Sequence, residues 1–192
     1  MSLNDIKQKL NKMLPEKRVI HSLNVAECAV KLCEIYNYDK EKAYIAGMVH
    51  DCAKYLDKDE VNYYVNKYDI PLDEFEKDSL ALSHSIIGAY IAEYEFNIKD
   101  KEIISAIRYH TTGKVNMTLL EKIIYMSDLI EVDRNFPYVD ELRKLVYNKK
   151  LDEALLLSFD NTIKFVIDNK QIIHPRTVSA RNYIMKTLIK KM

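Results

Sequence analysis

The sequence contains few of the residues that interrupt helices, with three glycines and four prolines among 192 residues. Glycine and proline are the strongest breakers of helical structure, so long helices meet few obstacles in this chain. No convincing run of alternating apolar and polar residues, the pattern typical of a strand, is present. We therefore predict an all-α fold.

Cysteines are also few, and the net charge is zero. Cys28, Cys33 and Cys52 are odd in number and include no C-x-x-C pair, which indicates reduced thiols. The 29 basic and 29 acidic side chains balance, so no global field attracts nucleic acid or an anionic membrane. No segment reaches the ~18 consecutive apolar residues of a membrane span, and no signal peptide is evident. We expect a cytoplasmic protein that binds neither nucleic acid nor a membrane.

Apolar residues recur every three or four positions through most of the chain, which is the helical period. No repeat, low-complexity stretch or linker interrupts them, so we predict a single domain over residues 1–192. The predicted helical segments are 18–36, 41–54, 80–95, 101–110, 118–131, 139–147, 150–168 and 176–190.

Four of the five histidines share a helix face with apolar or small residues. An inward-facing imidazole must find a partner or remain neutral. Each one alone has an ordinary explanation, such as a core histidine with a backbone partner or a charge near a helix end. The four are His21, His50, His84 and His110.

Two aspartates pose a harder problem for an apolar core. Asp128 follows Leu120 and Ile124 on one helical stripe, and Asp51 is next to His50 near a predicted helix end. An unpaired buried carboxylate costs several kcal/mol, which a lysine partner or a divalent metal would offset. Together, the imidazoles and carboxylates supply nitrogen and oxygen ligands without thiolates, which suits a catalytic transition-metal site.

Six such ligands are enough for two metals. Two ions about 3.5 to 4 Å apart lower the pKa of a bridging water and neutralise phosphate oxygens. The chemistry that this predicts is hydrolysis of a phosphoester or phosphoanhydride.

The order H, HD, H, H, D resembles that of the HD-domain metallophosphohydrolases. The resemblance implies an HD-domain helical bundle with a metal core at about residues 18–131 and C-terminal helices at 139–190. It also implies Asp51 as a bridge between two metals. The implied ligands are His21, His50, Asp51 and Asp128 for one metal and Asp51, His84 and His110 for the other.

A narrower resemblance, to the YqeK branch of the HD proteins, covers most of residues 16–147. It implies a symmetrical bis(5'-nucleosyl)-tetraphosphatase that cleaves diadenosine tetraphosphate into two ADP and uses iron, with Mn, Co, Ni or Zn as alternatives. Val132-Asp133 and Tyr138 depart from the family pattern. The segments that carry the resemblance are 18–22, 50–54, 84–90, 106–111, 117–125, 127–131, 134–137 and part of the tail from His174.

A tetraphosphate substrate is highly anionic, so this neutral chain must gather cations near the metals. We expect Lys54 and Arg134 to contact phosphate and, with Asp51, to take part in catalysis through a metal-bridging hydroxide that attacks a central phosphorus. Further candidate substrate contacts are Arg18, Arg108, and, at the start of the last helix, His174 and Arg176.

Two alternative functions remain open at this stage. One is another HD phosphohydrolase, acting on a nucleoside monophosphate, a cyclic dinucleotide or a guanosine alarmone. The other is a non-catalytic nucleotide-binding regulatory module. In each case the expected partner is a nucleotide or dinucleoside polyphosphate, and we allow for a homodimer.

Overall fold

The computed structural model describes residues 1–190, and within them the backbone forms ten α-helices and no strand. The all-α prediction is therefore confirmed. The predicted single domain also includes residues 191 and 192, which lie outside this described part. The helices are α1 (Leu3–Met13), α2 (Glu16–Tyr36), α3 (Lys40–Val49), α4 (Lys58–Tyr68), α5 (Leu80–Tyr94), α6 (Lys101–Tyr109), α7 (Leu119–Ile130), α8 (Val139–Tyr147), α9 (Leu151–Asp168) and α10 (Pro175–Ile189).

The predicted segments correspond to eight of these helices, and the differences have local causes. Helices α1 and α4 were not predicted, and α4 has no buried residue, so its apolar stripe is weak. The segment predicted as 41–54 is too long, because α3 ends at Val49 and turns follow. Asp51 and Lys54 therefore lie in turns and not on α3.

The core is built on α2, which packs against α3 and α7, while α6 packs against α3, α5 and α7. Gly47 permits a close approach of α3 to α2, because a Cβ there would lie only 2.6 Å from the Ala26 Cα atom. Gly47 is one turn before His50 in the sequence. The tight α2–α3 contact therefore brings the end of α3 close to His21 on α2.

The C-terminal helices pack on the core and on one another: α8 packs on α2, α7 and α9, and α9 packs on α7, α8 and α10. Gly113, with φ of 63°, ends the turn that follows α6, and a Cβ there would lie 2.6 Å from the Phe159 ring on α9. No helix in the described part of the chain is long and apolar enough to cross a bilayer.

Glu95, at the end of α5, joins three helices. Its carboxylate accepts hydrogen bonds from Lys67 at 2.8 Å, from Lys9 at 3.2 Å and from Tyr68. The hydrogen bonds from Lys67 and Tyr68 outweigh burial and lower the pKa of Glu95 to about 2 from its ordinary 4.5.

We predict that Glu95→Gln lowers the free energy of unfolding at neutral pH by about 1 kcal/mol, after allowance for solvent screening of these partly exposed pairs. Because the folded-state pKa is lowered, the contribution is present above pH 4.5 and disappears as the pH falls towards 2. Thermal melts should show a deficit of about 2–4 °C at pH 7 that shrinks below pH 4. Glu93→Gln on the same helix is the control, and a pH-independent deficit would contradict the prediction.

Candidate metal centre

The structure brings all six predicted ligands together from five elements. His21 lies on α2, His84 on α5 and Asp128 on α7, while His50 and His110 cap the C-terminal ends of α3 and α6. Asp51 follows His50 in the turn. All are buried except Asp128, whose side chain is 20% exposed. Helix ends and inward helix faces thus converge on one point.

Each of the four imidazoles is oriented by an acceptor on its Nδ1 atom. For His50, His84 and His110 the acceptor is a backbone carbonyl, which cannot donate. In these three rings Nδ1 therefore carries the hydrogen and Nε2 presents a lone pair. Metal-bound histidines typically have this arrangement. The contacts are His21 Nδ1 with Glu131 Oε1 at 3.1 Å, His50 with Gly47 O at 2.7 Å, His84 with Leu80 O at 2.9 Å and His110 with Ile107 O at 2.7 Å.

Asp51 lies between two pairs of imidazoles and faces each pair with a different oxygen. Its Oδ2 atom is 3.6 Å from His50 Nε2 and 3.9 Å from His21 Nε2. Its Oδ1 atom is 3.2 Å from His84 Nε2 and 3.4 Å from His110 Nε2. One Asp51 oxygen would therefore be available to hold an ion beside each imidazole pair.

Asp128 completes the first of these two groups. Its Oδ1 atom is 3.0 Å from His21 Nε2 and 3.9 Å from His50 Nε2. The other group, around Asp51 Oδ1, contains no second carboxylate. The two groups therefore differ in charge as well as in position.

Several buried polar atoms at this point have no hydrogen-bond partner: His21 Nε2, His50 Nε2 and Asp51 Oδ1. His84 Nε2 and His110 Nε2 lie 3.1 Å apart, so their lone pairs face each other. Unpartnered buried groups of this kind are costly, and divalent ions would satisfy them all. The residues present therefore fit two divalent metals.

The protonation states suit metal binding. Burial lowers the pKa of His50 to about 4 against the opposing charge of Asp51, and burial likewise lowers the pKa of His84. Burial alone would raise the pKa of Asp51, but His50, His110 and His84 outweigh it and hold the pKa well below its ordinary value. Burial also opposes ionisation of Asp128, whose pKa is nevertheless lowered by His21 and His50. Neutral imidazoles and ionised carboxylates are the forms that bind a metal.

Three of the predicted substrate-binding cations lie at this centre. Arg18 Nη1 is 2.8 Å from Asp51 Oδ2, and Lys54 Nζ is 3.1 Å from His84 Nε2. Arg134 contacts the Asp128 carboxylate and donates to its backbone oxygen at 2.7 Å. The three side chains are partly exposed, so they line the opening of the centre.

The other three predicted substrate-binding residues contact groups other than the six ligands. His174 caps the N-terminus of α10, where its Nδ1 atom accepts from the Arg176 amide at 3.1 Å. Arg176 Nη1 is 3.0 Å from a Glu76 oxygen, and Arg108 lies over the Tyr109 ring. The substrate contacts of His174, Arg176 and Arg108 stay predictions.

His174 also forms a histidine and carboxylate cluster, but one of a different kind. Its Nε2 atom is 3.2 Å from Asp73 Oδ2 and 3.3 Å from Glu76 Oε1. Because Nδ1 accepts a backbone hydrogen bond, a neutral imidazole carries its hydrogen on Nε2, which then faces the carboxylates. In that form His174 presents no Nε2 lone pair to an ion, unlike the four histidines of the metal centre.

Glu131 contacts a predicted ligand, and we did not identify it from the sequence. It is buried, and its carboxylate accepts from His21 Nδ1 and from the Asp133 amide at 2.7 Å. Arg143 on α8 holds the same loop by donating to the carbonyl oxygens of Ile130, Glu131 and Arg134. A metal-bound histidine usually donates its second ring N–H to an acceptor, so the sequence could have prompted a search for an acceptor for His21.

We predict that Glu131→Ala weakens metal binding by about 10–100-fold, because His21 loses the acceptor that orients it. Activity titrated with Mn²⁺ should require more metal and then recover much of its maximum. Glu131→Gln, which keeps an acceptor oxygen, should restore part of the affinity. Lower thermal stability with an unchanged Mn²⁺ requirement would show that Glu131 serves only the fold.

All six of the predicted ligand side chains lie within residues 18–133, the part of the chain that matches a known family. Residues 18–133 match the model of the HD domain. This match covers more than half of the chain, and the protein therefore belongs to the HD-domain family. HD domains are metal-dependent, in agreement with the donor set described above.

Relatives of nearly the same length carry a more specific name. The chain is 39% identical to a protein of Staphylococcus aureus, over 95% of this chain and 94% of the relative. It is 38% identical to a protein of Bacillus subtilis, over 92% and 94% of the two chains. Both relatives are named bis(5'-nucleosyl)-tetraphosphatase, symmetrical.

A solved structure supports the fold assignment over nearly the full chain. It is a protein of Clostridium acetobutylicum described as a "predicted HD superfamily hydrolase involved in NAD metabolism". Its TM-score is 0.93 and its identity 45%, with 97% of this chain and 98% of that chain covered. The predicted HD-domain bundle is confirmed.

Proposed function

We propose that this protein is a symmetrical bis(5'-nucleosyl)-tetraphosphatase that cleaves diadenosine tetraphosphate into two molecules of ADP. The observation that carries the proposal is the two-sided environment of Asp51, whose oxygens face separate pairs of imidazoles. A donor set for two metals suits phosphoanhydride hydrolysis. The relatives from S. aureus and B. subtilis have this name and match the chain over nearly their whole length, which supports the choice of substrate.

When bound, two divalent ions would supply Lewis acidity and an activated water at the centre. The chain itself would supply charge and position. Arg18 and Arg134 are paired with the Asp51 and Asp128 carboxylates, and Lys54 with His84 Nε2, so metal binding would occupy the atoms that hold these three side chains. The three cations would then be available to bind the phosphate oxygens of the substrate and the negative charge that develops during cleavage.

We predict that Lys54→Ala lowers kcat/KM for diadenosine tetraphosphate by about 10–100-fold, because a cation near the reacting phosphate is lost. Metal content should remain that of the wild type. Lys31→Ala, an exposed position on α2 about three turns beyond His21, removes the same charge far from the centre and serves as the control. Equal losses in the two variants would mean that Lys54 acts only through net charge.

Chromatography of the products tests the proposed function directly. Symmetrical cleavage yields only ADP, whereas asymmetrical cleavage yields AMP and ATP. A panel should include a nucleoside monophosphate, a cyclic dinucleotide, a guanosine alarmone and a pyrophosphate-linked dinucleotide. If one of these is consumed while diadenosine tetraphosphate survives, the proposal is wrong. Nucleotide binding without turnover of any compound would instead support a regulatory module.

The metal, the assembly and the cellular location of the protein are further proposals. We propose iron as the metal, one domain over the chain, a homodimer as the assembly and the cytoplasm as the location, with no nucleic acid or membrane partner. Arg108, His174 and Arg176 are proposed as outer substrate contacts. Metal analysis of protein purified without oxygen tests the first of these proposals, and a zinc-only enzyme with full activity would contradict it.

A further inference from the structure

A cavity of about 510 Å³ opens between the loop before α5, the C-terminal half of α9 and the loop that leads into α10. Its walls are largely apolar and come from segments far apart in the sequence. The side chains that matter here are Phe75, Leu82, Thr111, Ile163, Val166 and Ile172. Small-molecule sites are typically of this size and have this mixture of apolar walls and a few polar groups.

The cavity borders the metal centre at Thr111. This residue follows the ligand His110, and its hydroxyl oxygen lies 3.4 Å from His84 Nε2. Leu82, on another wall, is two residues before His84. The cavity wall at Thr111 therefore adjoins the His84 and His110 side of the centre.

The charges around the cavity differ from those at the centre. Glu74 and Asp78 lie exposed beside it against a single cation, Lys170. This balance disfavours phosphate, whereas Arg18, Lys54 and Arg134 favour phosphate at the centre. The cavity thus suits an uncharged group attached to a phosphate chain.

Two large apolar side chains on the cavity lining are exposed to solvent, Phe165 at 60% and Ile172 at 69%. Apolar groups that cluster around an opening often mark a ligand site. A purine presents flat apolar faces that could cover them.

We propose that this cavity binds one nucleoside of a dinucleoside polyphosphate, with Thr111 at the junction between the nucleoside and its phosphates. This inference rests on the proposed function and adds a site that recognises the base. It also explains how a substrate with two nucleosides could be placed with a central phosphate at the metals, because one nucleoside would be held at a fixed distance from them.

The test is to fill the cavity and compare a ligand that has a nucleoside with one that does not. In Mn²⁺-loaded protein, Ile163→Trp should weaken ADP binding by about tenfold or more, the loss expected when a base loses its stacking contacts. The dissociation constant of inorganic pyrophosphate should remain within about twofold of the wild-type value, because pyrophosphate has no base to stack. Ile167→Trp, on the same helix but outside the cavity lining, should change neither dissociation constant.

Unchanged ADP binding by Ile163→Trp would overturn the inference, as would equal weakening of ADP and pyrophosphate. If Ile163→Trp does not fold, Val166→Trp fills the same cavity from a half-buried position. Failure of the proposed function is a separate outcome. A wild-type protein that binds ADP in the cavity but leaves diadenosine tetraphosphate intact would refute the function and retain the site.

Discussion

Asp51→Ala is expected to empty both metal sites and to lower kcat by at least about 10³-fold, since metal catalysis contributes several kcal/mol of transition-state stabilisation. The reason is geometric. Asp51 Oδ2 faces His50 and His21, while Oδ1 faces His84 and His110. No other carboxylate in the described part of the centre faces both imidazole pairs.

The informative comparison is His84→Ala. His84 lies only on the Oδ1 side of Asp51, so this variant should lose the second metal and retain most of the first. Plasma mass spectrometry of the dialysed proteins measures metal per chain, and the same samples are assayed for activity. Asp51→Asn keeps the side-chain shape and controls for packing. The shared role of Asp51 is wrong if Asp51→Ala loses no more metal than His84→Ala.

Removal of the metals should abolish activity and lower thermal stability together. The apo centre leaves buried Nε2 and carboxylate atoms without hydrogen-bond partners, and binding satisfies them only in the folded state. Metal at 100 times its dissociation constant should add about 2.7 kcal/mol, or roughly 5–10 °C in melting temperature. Return of Mn²⁺ after chelation should restore both properties.

His50→Ala provides the control for this experiment. His50 is fully buried at the first metal group, so the variant should show a smaller Mn²⁺-dependent rise in melting temperature. A rise equal to that of the wild type would indicate binding elsewhere on the protein. A chelated, metal-free protein with full activity would contradict the central role of the site.

Much of the fold could be predicted from composition and helical phase. Few breakers and a sustained period of three to four residues predicted eight helices, all of which are present. Helices α1 and α4 were missed because little of their surface is buried: Ile6 and Leu10 in α1, and no residue in α4. Their clearest signals were the capping boxes Ser2 with Asp5 and Asp57 with Glu60.

The sequence by itself indicated that the four histidines and Asp128 face inward, because helical phase is a local property, and it placed Asp51 only as the neighbour of His50. It could not determine that the two oxygens of Asp51 face different imidazole pairs, since that depends on the turn after α3 and on the α2–α3 approach at Gly47. The support of His21 by Glu131 and the contact of Thr111 with His84 likewise join distant segments. Tertiary packing alone decided these contacts, because the distances between such segments are set by how the helices pack and not by residue spacing along the chain.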